Sequence, residues 1–184
     1  VHISQSALSA SSAASAFSPR LIGVGAQGTV YQCKYRQSQM CIKFFRLKFY
    51  MEEHGQYPSA ECEAHFHISR IEGRPCCGEF GRVVGAIRCV GYDLEPKDRV
   101  PPFMLMHKAD TTLHHVLSKR RRENDAVCKL SNIELHHVNN GIATGLHKLH
   151  AHCGKLHTDI RPQNVLVDVD EHNQIVACYL ADFG

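Results

Sequence analysis

A single hairpin flanked by two polar motifs constrains this chain more than any other stretch. Val165-Leu166-Val167-Asp168-Val169 alternates as a strand, Glu171-His172-Asn173-Gln174 reads as a turn, and Ile175 to Leu180 reads as the returning strand. A hairpin brings its two ends together. One end is Asn164, the last residue of His157-Thr158-Asp159-Ile160-Arg161-Pro162-Gln163-Asn164. The other leads into Asp182-Phe183-Gly184. The fold must therefore bring Asn164 and Asp182 close together.

A second constraint lies near the start of the chain. Leu21-Ile22 and Thr29-Val30-Tyr31 read as strands around Gly23-Val24-Gly25-Ala26-Gln27-Gly28. Such a glycine pattern also fits a dinucleotide-binding turn, which needs a helix next. Here strand formers follow instead, from Thr29 to Tyr35, and Met40 to Phe45 reads as a further strand. Without Cβ atoms the loop backbone can approach phosphate groups closely and present N–H donors. A plain glycine hairpin is the competing reading of this stretch. Lys43, between Ile42 and Phe44, is either an outward surface residue or a charge held in a cleft, and the glycine loop upstream favours the cleft.

Residues 59 to 71 read as a helix carrying two carboxylates, Glu61 and Glu63. Two residues apart on a helix, they cannot point the same way. Glu61 shares a face with Ala64 and Ile68, whereas Glu63 lines up with Phe66 and Arg70. Glu61 is the favoured inward carboxylate, although Pro58 puts it close to the helix start, and Glu63 stays open as the alternative. Gly73, Pro75 and Gly78 mark a loop, and Val83 to Val90 reads as one strand. Asp93 to Pro102 reads as a loop and Phe103-Met104-Leu105-Met106 as a short buried strand. Thr112 to Arg122 is helical and ends in Lys119-Arg120-Arg121-Arg122, read as a solvated last turn, with a nuclear-targeting patch as the alternative. Ser131-Asn132-Ile133-Glu134 is a capping box. It opens a long helix with an apolar stripe of Leu135, Val138, Ile142, Leu146 and Leu149.

Composition narrows the class. The 184 residues are 43% hydrophobic and 21% charged, as in a globular domain or two small lobes. No apolar run is long enough to span a membrane. A net charge of +3 is too small to argue for a nucleic-acid partner. The nine cysteines lack C-x-x-C spacing and no signal peptide precedes them, so they read as thiols in a reducing compartment. The fourteen histidines lack repeated ligand spacing, so a structural metal is disfavoured. The Ser/Ala-rich residues 1–19 read as a disordered leader. A start at Val1 and an end on Gly184 read as a fragment of a longer protein, one expected to be inactive by itself.

In this order, Gly23-x-Gly25-x-x-Gly28-x-Val30, the strand lysine, the helix glutamate, H-x-D-x-x-x-x-N and Asp-Phe-Gly resemble the eukaryotic-type protein kinase superfamily from about Leu21 to Gly184. The resemblance implies an α+β, bilobal fold. An N-lobe over 20–107 would hold a five-stranded antiparallel sheet and one helix. The first part of a mainly helical C-lobe would occupy 108–184, with ATP between the lobes and adenine pairing with backbone near His107 and Lys108. It further implies a nucleotide site of Ile22, Gly23, Gly25, Gly28, Val30 and Lys43, with Lys43 held by Glu61. Asn164 and Asp182 would bind Mg²⁺, and Asp159 would be the base, with Arg161 near the γ-phosphate.

His152-Cys153-Gly154 ahead of this motif, with Pro162-x-Asn164-Val165-Leu166-Val167-Asp168, is similar to the herpesvirus serine/threonine protein kinases. That likeness implies transfer to Ser/Thr of proteins, action on nucleoside analogues in some members, and an intracellular place in the host nucleus and the virion tegument. Two departures stand out. Thr158 replaces an arginine that in many kinases pairs with an activation-loop phosphate, and Arg161 replaces a lysine with a planar, bulkier cation. A pseudokinase scaffold and a small-molecule phosphotransferase remain as rivals, with a Cys/His metal module further off.

Overall fold

The computed structural model describes residues 19–35, 38–47, 58–71, 85–87, 89–94, 101–123 and 129–183. All but the last residue of the Ser/Ala-rich leader read over 1–19, the loop glycines Gly73 and Gly78 and the strand start at Val83 lie outside them. The chain divides into two compact units, Val1–Phe66 with Cys89–Lys108, and His67–Arg88 with Ala109–Gly184.

The first unit is built on a five-stranded sheet in the order β1-β2-β3-β6-β5. Its strands are β1 (Arg20–Val24), β2 (Gly28–Tyr35), β3 (Ser38–Phe45), β5 (Cys89–Asp93) and β6 (Phe103–His107). All pairings within it are antiparallel. Side chains alternate across a strand, so β3 sends Met40, Ile42 and Phe44 one way and Cys41, Lys43 and Phe45 the other. The first face makes the apolar core. Met40 and Ile42 pack with Cys33, Phe103 and Leu105, and Phe44 meets Tyr31 and Phe103 edge-on, each at 6.0 Å between centroids. The other face carries Lys43, the one buried lysine among the described residues, at 7% exposure. Helix α1 (Ser59–Ile71) starts in this unit, and its Phe66 ring stands edge-on to Tyr92 of β5 at 5.6 Å.

The second unit is organised by a four-stranded sheet, β4-β9-β8-β7. Its strands are β4 (Gly85–Ala86), β7 (Thr111–Thr112), β8 (Val165–Val169) and β9 (Ile175–Leu180). Two helices accompany it, α2 (Leu113–Glu123) and α3 (Asn132–Cys153). The Ser131 capping box is formed in full and fixes the start of α3. Gly154 in the left-handed region ends the helix, its N–H facing the His150 and Leu149 carbonyls. Among the described residues no helix is long and apolar enough to cross a membrane.

Three local expectations are corrected. The strand anticipated over Val83–Val90 is broken. Ile87 turns its N–H to Leu180 O, so β4 joins β9 in the second unit while β5 joins β6 in the first. The buried stripe of α3 is Glu134, Val138, Gly141, Gly145 and Leu149, and Leu135 is 43% exposed. Glycines, not Ile142 and Leu146, carry the contact, because a Cβ on Gly145 or Gly141 would run into the Gly85 or Cys178 carbonyl oxygen. Finally, the basic turn ending α2 is not uniformly solvated. The Arg120 side chain is only 18% exposed and grips Glu134, whereas Arg121 and Arg122 face solvent.

Candidate active site

Each unit carries its own group of candidate residues. In the first, sheet register makes the arrangement. Gly23 pairs with Val30, Val30 with Lys43, and Lys43 with Met104, so these residues form one row across β1, β2, β3 and β6. Directly paired residues share a face. The Lys43 ammonium stands 2.6 Å from Glu61 Oε1, a side chain 1% exposed on the first turn of α1. Glu63 is exposed and points elsewhere. A buried ammonium next to a buried carboxylate compensates desolvation that would otherwise neutralise both. Lys43 also lies 5.3 Å from the centre of the Phe45 ring and donates to Gln27 Oε1 at 3.2 Å.

The glycines of the loop have different tasks. Gly28 is demanded by packing, since a Cβ there would collide with the Phe44 carbonyl oxygen. At Gly25 a Cβ would meet nothing within 4 Å, so this chain's own packing does not require glycine there. The open space beside Gly25 is what close approach of a ligand to the backbone needs. Ile22 sits at the irregularity of β1 and is 46% exposed.

In the second unit the candidate residues lie on the turn ahead of β8. Asp159 N–H donates to His157 O at 2.6 Å, which closes a tight turn over Thr158, whose φ is 51°. The side-chain nitrogen of Asn164 donates to Asp159 O at 3.0 Å and to Asp159 Oδ2 at 2.8 Å. Arg161 Nε meets the same Oδ2 at 3.1 Å. Both partners bind one carboxylate oxygen, and among the described residues none hydrogen-bonds Oδ1. The Asn164 amide, with its nitrogen turned to Asp159, keeps its oxygen for another partner.

Two links join this turn to the segment of Asp182. Ala181 N–H donates to Asn164 O at 3.1 Å, and the buried His157 ring faces Ala181 O through Nε2 at 3.0 Å. The Phe183 ring stands edge-on to His157 at 5.6 Å. Asp182 itself takes φ 66°, which an aspartate tolerates better than most residues. Asn164 and Asp182 thus leave adjacent strand ends as hard oxygen donors.

Sequence reasoning missed one polar device. Glu134 receives Arg120 Nη1 at 3.0 Å and Nη2 at 2.5 Å, the Ser131 N–H at 2.8 Å and the Ile175 N–H at 3.0 Å. Burial alone would raise its pKa, but the Arg120 fork and the two N–H donors outweigh that and hold the carboxyl down at about 2. Arg120 also binds Asn173 O at 2.7 Å, so it anchors the β8–β9 turn. The capping box showed the Glu134–Ser131 half of this device. The Arg120 half, from a distant helix, left no local signal.

The sheet row with its buried lysine–glutamate pair in one unit, and the aspartate turn leading into Asp182 in the other, are features found among phosphotransferases. Residues 18–184 match the family model described as the protein kinase domain, and the chain belongs to that family. No curated protein matches it.

Proposed function

We propose that the protein is an ATP-dependent kinase that transfers the γ-phosphate to Ser and Thr hydroxyls of proteins. The observation that carries this reading is the Asp159 carboxylate, with Oδ2 committed to Asn164 and Arg161 and Oδ1 left to a substrate hydroxyl. Lys43, held by Glu61, orients the α- and β-phosphates. Gly23, Gly25 and Gly28 bring backbone N–H groups towards them, and Ile22 and Val30 bracket the nucleotide on the same sheet.

The residues fit Mg²⁺. Asn164 and Asp182 offer oxygen atoms, and the described residues hold no cluster of three or more His, Cys, Asp or Glu that would cage a metal unaided. That suits an ion that keeps waters and nucleotide phosphates as its remaining ligands. When bound, the ion neutralises phosphate charge. As the acceptor oxygen bonds to the γ-phosphorus and the bond to the ADP oxygen breaks, Asp159 takes the hydroxyl proton. Arg161 keeps a fixed positive charge next to that carboxylate. Most of the rate gain comes from positioning and charge complementarity.

The choice of Ser/Thr follows the herpesvirus-like sequence around His152-Cys153-Gly154 and Pro162 to Asp168. The same likeness supports a viral kinase acting in the host nucleus and the tegument, and a side activity on nucleoside analogues. The test is transfer from labelled ATP by the full-length protein to a mixed protein acceptor and to a nucleoside, followed by phosphoamino-acid analysis. Label on Ser or Thr is expected. Label on Tyr alone overturns the specificity, and ATP binding without transfer to any acceptor overturns the enzyme reading in favour of a scaffold.

A further inference from the structure

The side chain at the tip of the glycine loop reaches the lysine beneath it. Gln27 Oε1 accepts a hydrogen bond from Lys43 Nζ at 3.2 Å, while Glu61 Oε1 binds the same ammonium at 2.6 Å. The Gln27 backbone is pinned independently. Its carbonyl accepts from Arg46 N–H at 2.8 Å, and Gly25 N–H closes the loop on Gly28 O at 2.9 Å. The β2–β3 register places Gly28 opposite Phe45, so the loop tip comes down next to the end of the strand that carries Lys43. The contact is therefore a consequence of how the strands pair.

Glu61 and Gln27 differ in kind as acceptors for Lys43. Glu61 is a buried carboxylate, and its bond to the ammonium is charge-assisted on both sides. Gln27 offers a neutral amide oxygen from a half-buried loop residue. An arriving phosphate oxygen carries charge and would replace the amide far more readily than the carboxylate.

We propose that Gln27 is a latch displaced by phosphate. It holds the glycine loop down on Lys43 in the nucleotide-free protein, and it must be released from the ammonium before nucleotide phosphates take its place. This rests on the reading that Lys43 binds nucleotide phosphates. Gln27 is then a positioning residue that tunes affinity for phosphate-bearing nucleotides and leaves recognition of the base alone.

The test is calorimetric binding of ATP and of adenosine to the full-length protein. Gln27→Met fills similar space without an acceptor, and Gln27→Asn keeps the amide but is one methylene short. Both should tighten ATP about fivefold, the worth of one modest hydrogen bond, and leave adenosine unchanged. Gln27→Glu should weaken ATP by about tenfold or more, because a carboxylate holds the ammonium and repels phosphate, again without effect on adenosine. In a Lys43→Met background, Gln27→Met should no longer alter ATP affinity. If Lys43→Met weakens ATP while neither Gln27→Met nor Gln27→Asn tightens it, the latch is wrong and the phosphate reading of Lys43 stands. If Lys43→Met leaves ATP affinity unchanged, both fall. Equal shifts for ATP and adenosine would mark Gln27 as a structural loop residue and overturn the latch.

Discussion

Thr158 holds a backbone conformation that its side chain resists. A β-branched residue at φ 51° is uncommon and costs about 1–2 kcal/mol relative to a residue that tolerates the left-handed region. Thr158→Asn should therefore raise stability by about 1 kcal/mol, read as a higher urea midpoint with an unchanged slope. Glu134 makes the opposite kind of prediction. Its carboxyl is lowered from the usual 4.5 to about 2 in the fold. A depressed folded pKa contributes stability in full above about 4.5 and loses it as pH falls towards 2. At about 1.4 kcal/mol per pH unit, the contribution is roughly 3 kcal/mol. Arg120→Ala leaves a buried carboxylate with two backbone N–H donors and no cation beside it. It should cost about 3 kcal/mol at neutral pH and flatten the acid limb of the stability profile between pH 5 and 2. An acid limb unchanged in that variant would show that Arg120 does not hold the carboxyl down. The charge of Arg120 was plain in the sequence, but its partner was not. A basic last turn looks the same whether it faces water or a carboxylate contributed by another helix.

At the scale of elements, α3 shows how far periodicity carries. Its length and capping box were legible because both are local. Its buried face was misplaced by part of a turn, since the eye follows Leu135, Ile142 and Leu146 while the sheet follows Gly141 and Gly145. Close backbone approach leaves no hydrophobic signature. Gly145→Ala tests it. Alanine is the better helix former by about 1 kcal/mol, yet its Cβ would strike the Gly85 carbonyl oxygen, a backbone atom that cannot swing aside. Overpacking of this kind costs about 1–3 kcal/mol or more, so a net loss near 2 kcal/mol is expected in thermal or urea unfolding. Asn140→Ala, exposed on the same helix, should instead gain a few tenths of a kcal/mol. The break between β4 and β5 was missed for a related reason. Gly85, at φ 85°, sits inside an apolar run that otherwise reads as a strand, and the pairing of β4 with β9 and of β5 with β6 divides the segment between two sheets.

For the whole molecule, order and spacing of motifs held more information than any one motif. The glycine loop, the strand lysine and the hairpin that carries Asn164 to Asp182 fix an antiparallel sheet in one unit and a helix-backed hairpin in the other, the α+β arrangement of the protein kinase domain. The sequence favoured Glu61 over Glu63 on α1 through its face with Ala64 and Ile68 but left the choice open, and Glu61 is the buried one of the two. What the sequence left unwritten are side-chain contacts, both between residues far apart along the chain, such as Gln27 with Lys43, and within one turn, where Arg161 and Asn164 meet Asp159 Oδ2. The claim that depends most on these contacts is that Asp159 is the base. The decisive measurement is γ-phosphate transfer by the full-length protein compared with Asp159→Asn, with ATP affinity measured in parallel. Asparagine keeps an oxygen for the Asn164 donor but cannot take a proton. Turnover should drop by about 10²–10⁴-fold with ATP affinity unchanged. Turnover equal to that of the unaltered protein would contradict the account at its centre.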